Sequence, residues 1–227
     1  MKTNSRLKMK ILLVEDHPIV RQGIARMIDG EPDMEVCGEA GDAGEAMKQI
    51  AKGRPDVVLT DISLTGMNGI EFLKHLKAQY PGIPAVVLSM HDEAIYAERA
   101  LRAGALAFVM KRESSDEVMK ALRKARRGEY HVSEKVGGSI FQKLLNTRRH
   151  EASPMARLSD RELEVFERLG HGRGSREIAG ELHLSVKTVD THRMHIKEKL
   201  GLRSAPEMIR RAVQWVESEG AGAVARA

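Results

Sequence analysis

The chain is 227 residues long, room for two ordinary domains or one large one, and its 42% hydrophobic and 30% charged residues are those of a globular protein. No apolar run approaches the roughly 20 residues that cross a bilayer, and the basic N-terminus has no apolar core long enough for a signal peptide. Cys37 stands alone, which excludes an intramolecular disulfide and a cysteine-based metal site and fits a reducing cytoplasm, while a net charge of +5 permits a polyanionic partner without requiring one.

Residues 1–9 read as a short, flexible basic lead. Lys10–Val14 is a continuous apolar run that ends at Glu15 and Asp16, the pattern of a strand buried on both faces of a parallel sheet. Pro18–Asp29 has helical spacing, with Val20, Ile24, Met27 and Ile28 on one face. Met34–Glu39 is a second strand, and Ala43–Lys52 a helix with Ala46, Met47 and Ile50 on one side. Asp56–Thr60 is the third strand and ends at Asp61. Ala85–Leu88 ends at Ser89, and Ala107–Met110 ends at Lys111. Ile70–Ala78, Glu93–Ala103 and Ser115–Arg127 supply the remaining helices, with Gly53, Pro55, Gly82, Pro84 and Gly104 at the breaks. The alternation predicts a doubly wound, five-stranded parallel α/β sheet over residues 10–128.

Residues 129–156 contain Gly137-Gly138, Pro154 and the basic Arg148-Arg149-His150, and read as an inter-domain linker with a short helical piece at Ile140–Leu145. From Leu158 the periodicity is helical only, which predicts a small all-α domain over 157–217 and a frayed tail over 218–227.

In a parallel sheet, sites form beyond the carboxyl ends of the strands. Glu15, Asp16, Asp61, Ser89 and Lys111 therefore converge on one crevice. Any one of them alone would be a solvated strand cap; all five together point to chemistry. Crowded carboxylates call for a cation, and ligands that are all oxygen select a hard one, Mg2+. Lys111 opposite the acids fits a phosphoryl group, with Asp61 as nucleophile and the Ser89 hydroxyl as a hydrogen-bond donor.

The same residues carry a resemblance. Glu15-Asp16-His-Pro, Leu59-Thr-Asp61-Ile-Ser-Leu, Gly66-Met-Asn-Gly69-Ile-Glu71, Leu88-Ser89-Met-His-Asp and Gly104-Ala-Leu-Ala-Phe108-Val-Met-Lys111 resemble a response-regulator receiver domain, a flavodoxin-like fold. The resemblance implies that Asp61 is the phospho-acceptor and Lys111 the phosphate-binding lysine. It makes Ser89 and Phe108 a switch pair. Asp16, Asp61 and the Ser63 backbone carbonyl would hold Mg2+, with Glu15 acting through water. Thr65 stands where the family often has Pro, which implies a less rigid loop. His91 is read as a loop residue.

In the second half, Glu177–His183, the Leu184-Ser185 turn and Val186–Leu200 make a helix-turn-helix, with Ser185 as N-cap and Val189, Ile196 and Leu200 inward. Lys187, Asp190, Thr191, Met194 and Lys197 share the outer face. Arg176, Arg193, Lys199 and Arg203 add positive charge around it. Leu158-Ser-Asp-Arg161-Glu162-Leu-Glu-Val165, Glu177-Ile-Ala179, Leu184-Ser185-Val-Lys-Thr188-Val189-Asp-Thr-His192 and Lys199-Leu-Gly201 resemble the LuxR-type helix-turn-helix. Receiver plus this domain is similar to the NarL/FixJ group of response regulators. That resemblance implies a cytoplasmic transcription regulator phosphorylated by a sensor histidine kinase. It implies a homodimer when phosphorylated, no membrane partner, and room for RNA polymerase as a further partner. Helix 185–200 would enter the major groove, with Asp190, Thr191 and Met194 at base edges, Lys187, Thr188 and His192 near the backbone, and Lys197 on the same face. Ala205–Val216 would support dimerisation, and Gly174-Ser175, in place of the family's usual Ser-Asn, implies a weaker cap on the second helix. The only chemistry expected is self-phosphorylation and self-dephosphorylation at Asp61.

Two rivals differ in class. A receiver that only dimerises, without phosphorylation, would be expected to lose members of the five-residue set, which is intact here. A small-molecule phosphatase would need a second acid two residues after Asp61, where Ser63 stands, and a cap domain.

Overall fold

Uninterrupted apolar strands need cover on both faces, and the computed structural model, which describes residues 8–145 and 154–224, provides it. β1 (Met9–Val14), β2 (Met34–Ala40), β3 (Val57–Thr60), β4 (Ala85–Ser89) and β5 (Ala107–Met110) form one parallel sheet in the order β2-β1-β3-β4-β5. Every residue of β3, β4 and β5 is buried. The chain order reverses between β1 and β3, and such a switch point opens a crevice at the carboxyl ends of those strands.

α1 (Pro18–Asp29), α2 (Ala43–Lys52), α3 (Gly69–Gln79), α4 (Glu93–Ala103) and α5 (Ser115–Arg126) connect and cover the strands. Ile24 and Ile28 of α1 enter the core with Leu13, Leu59 and Val118, but Val20, in the first turn of α1, is exposed. Asp56 falls just outside β3, where its carboxylate accepts the Lys10 N–H at 2.9 Å.

The expected linker contains more helix than its glycines suggest. α6 runs Glu134–Leu145, starting six residues before the expected Ile140. The Ser133 hydroxyl accepts the Val136 N–H at 3.3 Å, and this N-terminal cap together with buried Val136 and half-buried Ile140 outweighs Gly137-Gly138. The basic Arg148-Arg149-His150 lies outside the described residues, as do 1–7 and 225–227.

The chain divides into two compact units, residues 1–142 and 143–227. Among the described residues the second is wholly helical: α7 (Asp160–Gly170), α8 (Ser175–Glu181), α9 (Val186–Leu200) and α10 (Ala205–Val224). Leu163, Phe166, Ile178, Leu182, Val189, Ile196 and Met208 fill its centre, and the Phe166 and Trp215 rings lie 5.6 Å apart. α10 continues past the expected Val216 through a stretch with no proline to stop it. No described helix is long and apolar enough to cross a membrane.

Candidate functional site

The strand ends bring their acids together. Asp61, at the end of β3, is 5% exposed and Glu15, at the end of β1, is 1% exposed. Lys111, after β5, spans both: its ammonium donates to Glu15 Oε2 at 2.5 Å and to Asp61 Oδ2 at 2.8 Å. Burial pulls the Lys111 pKa down, but the Asp61 and Glu15 carboxylates outweigh it and hold the ammonium above its ordinary value. Asp61 Oδ1 accepts the Ile62 N–H at 2.6 Å, which fixes the carboxylate with Oδ2 turned to Lys111.

Backbone packing sets the position of Asp61. Gly69 opens α3, and a Cβ there would stand 2.0 Å from the Asp61 carbonyl oxygen. Only glycine lets α3 approach this closely, and the Gly69 N–H reaches the Ile62 carbonyl at 2.8 Å.

The Asp16 side chain is 8% exposed, and its Oδ1 is buried without a hydrogen bond of good geometry, although His17 Nδ1 lies 2.7 Å away. His17 Nδ1 is also 3.1 Å from Glu15 Oε1. Glu15, Asp16 and His17 place ligand atoms within 4.8 Å of one another. An under-satisfied carboxylate oxygen among acids fits a hard divalent cation. The all-oxygen expectation overlooked His17, although it directly follows Asp16 in the chain.

Two loop residues are more engaged than expected. Thr65 does not leave its loop loose: its hydroxyl donates to Asp16 Oδ2 at 3.1 Å, a bond proline could not make, and the residue bridges to Asp42. His91 is a loop residue, but its Nε2 lies 2.8 Å from Ser63 Oγ and its N–H donates to Ser89 Oγ at 3.2 Å. Its ring packs 4.5 Å from that of buried Tyr96. Ser89 is fully buried at the end of β4, and Phe108 is buried within β5.

The second unit presents a polar helix. On α9, Lys187, Asp190, Thr191 and Met194 are exposed, while Thr188, His192 and Lys197 are half-buried. The Ser185 hydroxyl caps the helix by accepting the Thr188 N–H at 3.0 Å. Thr191 spends its hydroxyl on the Lys187 carbonyl at 2.9 Å. Ser175 opens α8 and, rather than capping it, donates to Asp190 Oδ1 at 2.8 Å and receives a bond from Arg193. Glu177 does the capping instead, accepting the Gly174 N–H at 2.8 Å. The Ser175 tie between α8 and α9 was not visible in sequence.

Lys199, one of the positive charges expected around this face, donates to both Glu162 oxygens, at 2.9 and 2.7 Å. Glu162 also accepts the Ser159 N–H at 2.7 Å in a capping box at the start of α7. Burial pushes the Glu162 carboxyl up, but the bonds from Lys199 and the Ser159 amide outweigh it, so its pKa lies below the ordinary 4.5. A depressed carboxyl stabilises the fold above its unfolded pKa and loses that contribution as pH falls through the folded one. Thermal melts of wild type should therefore steepen in their loss of stability below about pH 4.5. Glu162→Gln should remove that part of the acid limb; an unchanged limb would deny the pair its role.

Comparison with known proteins places both units. Residues 11–123 match the response regulator receiver domain, and residues 156–212 match the bacterial regulatory proteins of the luxR family. The oxygen regulatory protein NreC of Staphylococcus carnosus is 33% identical over 211 residues, 91% of this chain and 97% of that protein. The crystal structure of a LuxR-family two-component response regulator from Aurantimonas sp. SI85-9A1 is 32% identical with a TM-score of 0.57, covering 61% of this chain and 99% of that one. RcsB from Salmonella enterica serovar Typhimurium, bound to promoter rprA in the presence of phosphomimetic BeF3-, is 25% identical with a TM-score of 0.59, covering 89% of this chain and 97% of that one.

Proposed function

The chain belongs to the two-component response regulators with a LuxR-type DNA-binding domain, and from that membership we propose that a phosphoryl group on Asp61 controls how it binds DNA. The observation that carries the proposal is the convergence of Glu15, Asp16, Asp61 and Lys111 at three strand ends, with Lys111 already bridging two of the carboxylates.

A sensor histidine kinase is the donor. An Asp61 carboxylate oxygen attacks the phosphorus of the kinase phosphohistidine; an O–P bond forms, the N–P bond breaks, and the ring nitrogen keeps the electron pair. Asp16, Asp61, the Ser63 carbonyl and, through water, Glu15 would hold Mg2+, whose charge would neutralise the phosphoryl oxygens. Lys111 leaves Asp61 Oδ2 to pair with a phosphoryl oxygen, and the Ser89 hydroxyl turns from the His91 amide to donate to another. Phe108, already buried in the resting state, repacks as Ser89 moves, and the α4–β5–α5 surface repacks with it, biasing a two-state equilibrium.

In the active state two chains pair, through α10 residues 205–216, on a two-fold DNA site, with α9 in each major groove. Lys187, Thr188 and His192 contact the backbone. Asp190, Thr191 and Met194 face base edges, with Lys197 beside them. Met194 offers only apolar contact, for instance to a thymine methyl, and Asp190 is partly occupied by Ser175. Sequence readout then leans on DNA shape. The acting units are residues 10–128 and 157–217, working in the cytoplasm, and phosphoryl gain and loss at Asp61 is the only chemistry. A sizing run of the full chain with Mg2+ and beryllofluoride tests the reading: a shift from monomer to dimer supports it, and one unchanged species contradicts it.

A further inference from the structure

β5 is an edge strand, and its outer N–H and C=O groups need cover. They find it in the chain's own continuation. Gly128, at φ +76°, turns the backbone after α5. His131 then lies parallel to β5: its N–H donates to the Leu106 carbonyl at 2.9 Å, and its carbonyl accepts the Phe108 N–H at 3.1 Å. The His131 ring is 10% exposed, with Nε2 3.1 Å from Glu117 Oε2 on α5. Two residues on, Ser133 opens α6, and Val136 in its first turn is buried.

The pairing joins the candidate switch to the segment that leads into the DNA-binding unit. Ser89 pairs in register with Met110, and its carbonyl accepts the Lys111 N–H at 2.8 Å, so movement of Ser89 draws on β5. Two residues back along β5, the Phe108 amide also faces away from β4, and His131 holds it. Resting on the phosphorylation reading above, we propose that the His131 peptide is a strap tying the start of α6 to β5, and that filling the Asp61 pocket releases it. Ser89 moving toward the phosphoryl group pulls β5 inward, the Phe108–His131 bond lengthens, and α6 is freed from its first turn. The signal thus leaves the receiver along the main chain itself. His131 is a positioning residue in this scheme, acting through backbone atoms that touch neither phosphate nor DNA.

Amide exchange, read by NMR on the full chain with Mg2+ and with or without beryllofluoride, tests the strap. The Ile62 amide, donated to Asp61, reports whether the pocket fills. With the pocket filled, the Phe108 and His131 amides should exchange about ten-fold faster, and the α6 amides should follow. His131→Pro removes the bond to Leu106; its α6 amides should exchange fast and ignore beryllofluoride while Ile62 still responds. His131→Ala keeps both backbone bonds and should behave as wild type. An Ile62 response in wild type with unchanged Phe108 and His131 exchange would overturn the strap and leave the phosphorylation reading standing. Loss of coupling in His131→Ala would also overturn it, by assigning the effect to the Glu117 contact. No response at Ile62 would overturn the phosphorylation reading, and the strap with it.

Discussion

Asp61→Asn should take up no phosphoryl group when the full chain is incubated with Mg2+ and acetyl phosphate, whereas wild type should gain the mass of one. Asp61 is the carboxylate that β3, Gly69 and the Ile62 amide hold at the crevice, with Oδ2 on Lys111. Glu15 is as buried and as close to Lys111, so it is the competing acceptor. An amide at position 61 cannot form the acyl phosphate, but its size preserves the packing. Intact mass on both proteins decides the matter: an adduct that survives in Asp61→Asn would move the acceptor to another acid, Glu15 first.

Lys111→Ala should be the most destabilising single change in the crevice. It leaves the Glu15 and Asp61 carboxylates, 1% and 5% exposed, without their shared counter-charge. Removing one partner of a buried ion pair costs about 3 kcal/mol or more, although proton uptake by one carboxylate recovers part of that. A divalent cation should therefore stabilise the variant more than it stabilises wild type, because in wild type it competes with an ammonium already in place. Thermal melts with and without Mg2+ check both points. Equal Mg2+ stabilisation of the two proteins would mean that Lys111 and the cation do not share the same carboxylates.

The sheet was legible because strands buried on both faces leave an uninterrupted apolar run, and the polar residue ending each run marks the crevice. Asp61, Glu15 and Lys111 could be placed together on that ground alone. His17 directly follows Asp16 but ends no strand; only the fold shows its Nδ1 2.7 Å from Asp16 Oδ1. In the sequence Thr65 stands out only by what it replaces; its hydroxyl's bond to Asp16 appears only in the fold. Gly137-Gly138 suggested a break, yet a capped helix start at Ser133 carries α6 through both. The His131–β5 pairing has no side-chain pattern to betray it, since its bonds are made by backbone atoms every residue carries. On α9 the apolar side was readable from periodicity, but the Ser175–Asp190 and Lys199–Glu162 ties join residues 15 and 37 positions apart and appear only once the helices are packed.

Phosphorylation in the crevice should set what α9 does. The most direct test is the affinity of the full chain for a DNA duplex recovered from a random pool, measured as the phosphorylated fraction, read by intact mass, is raised step by step. Affinity should rise with that fraction, by about ten-fold or more in all, with no rise for Asp61→Asn under the same donor. Equal affinity at zero and full phosphorylation would contradict it and leave a receiver that serves only to pair two chains.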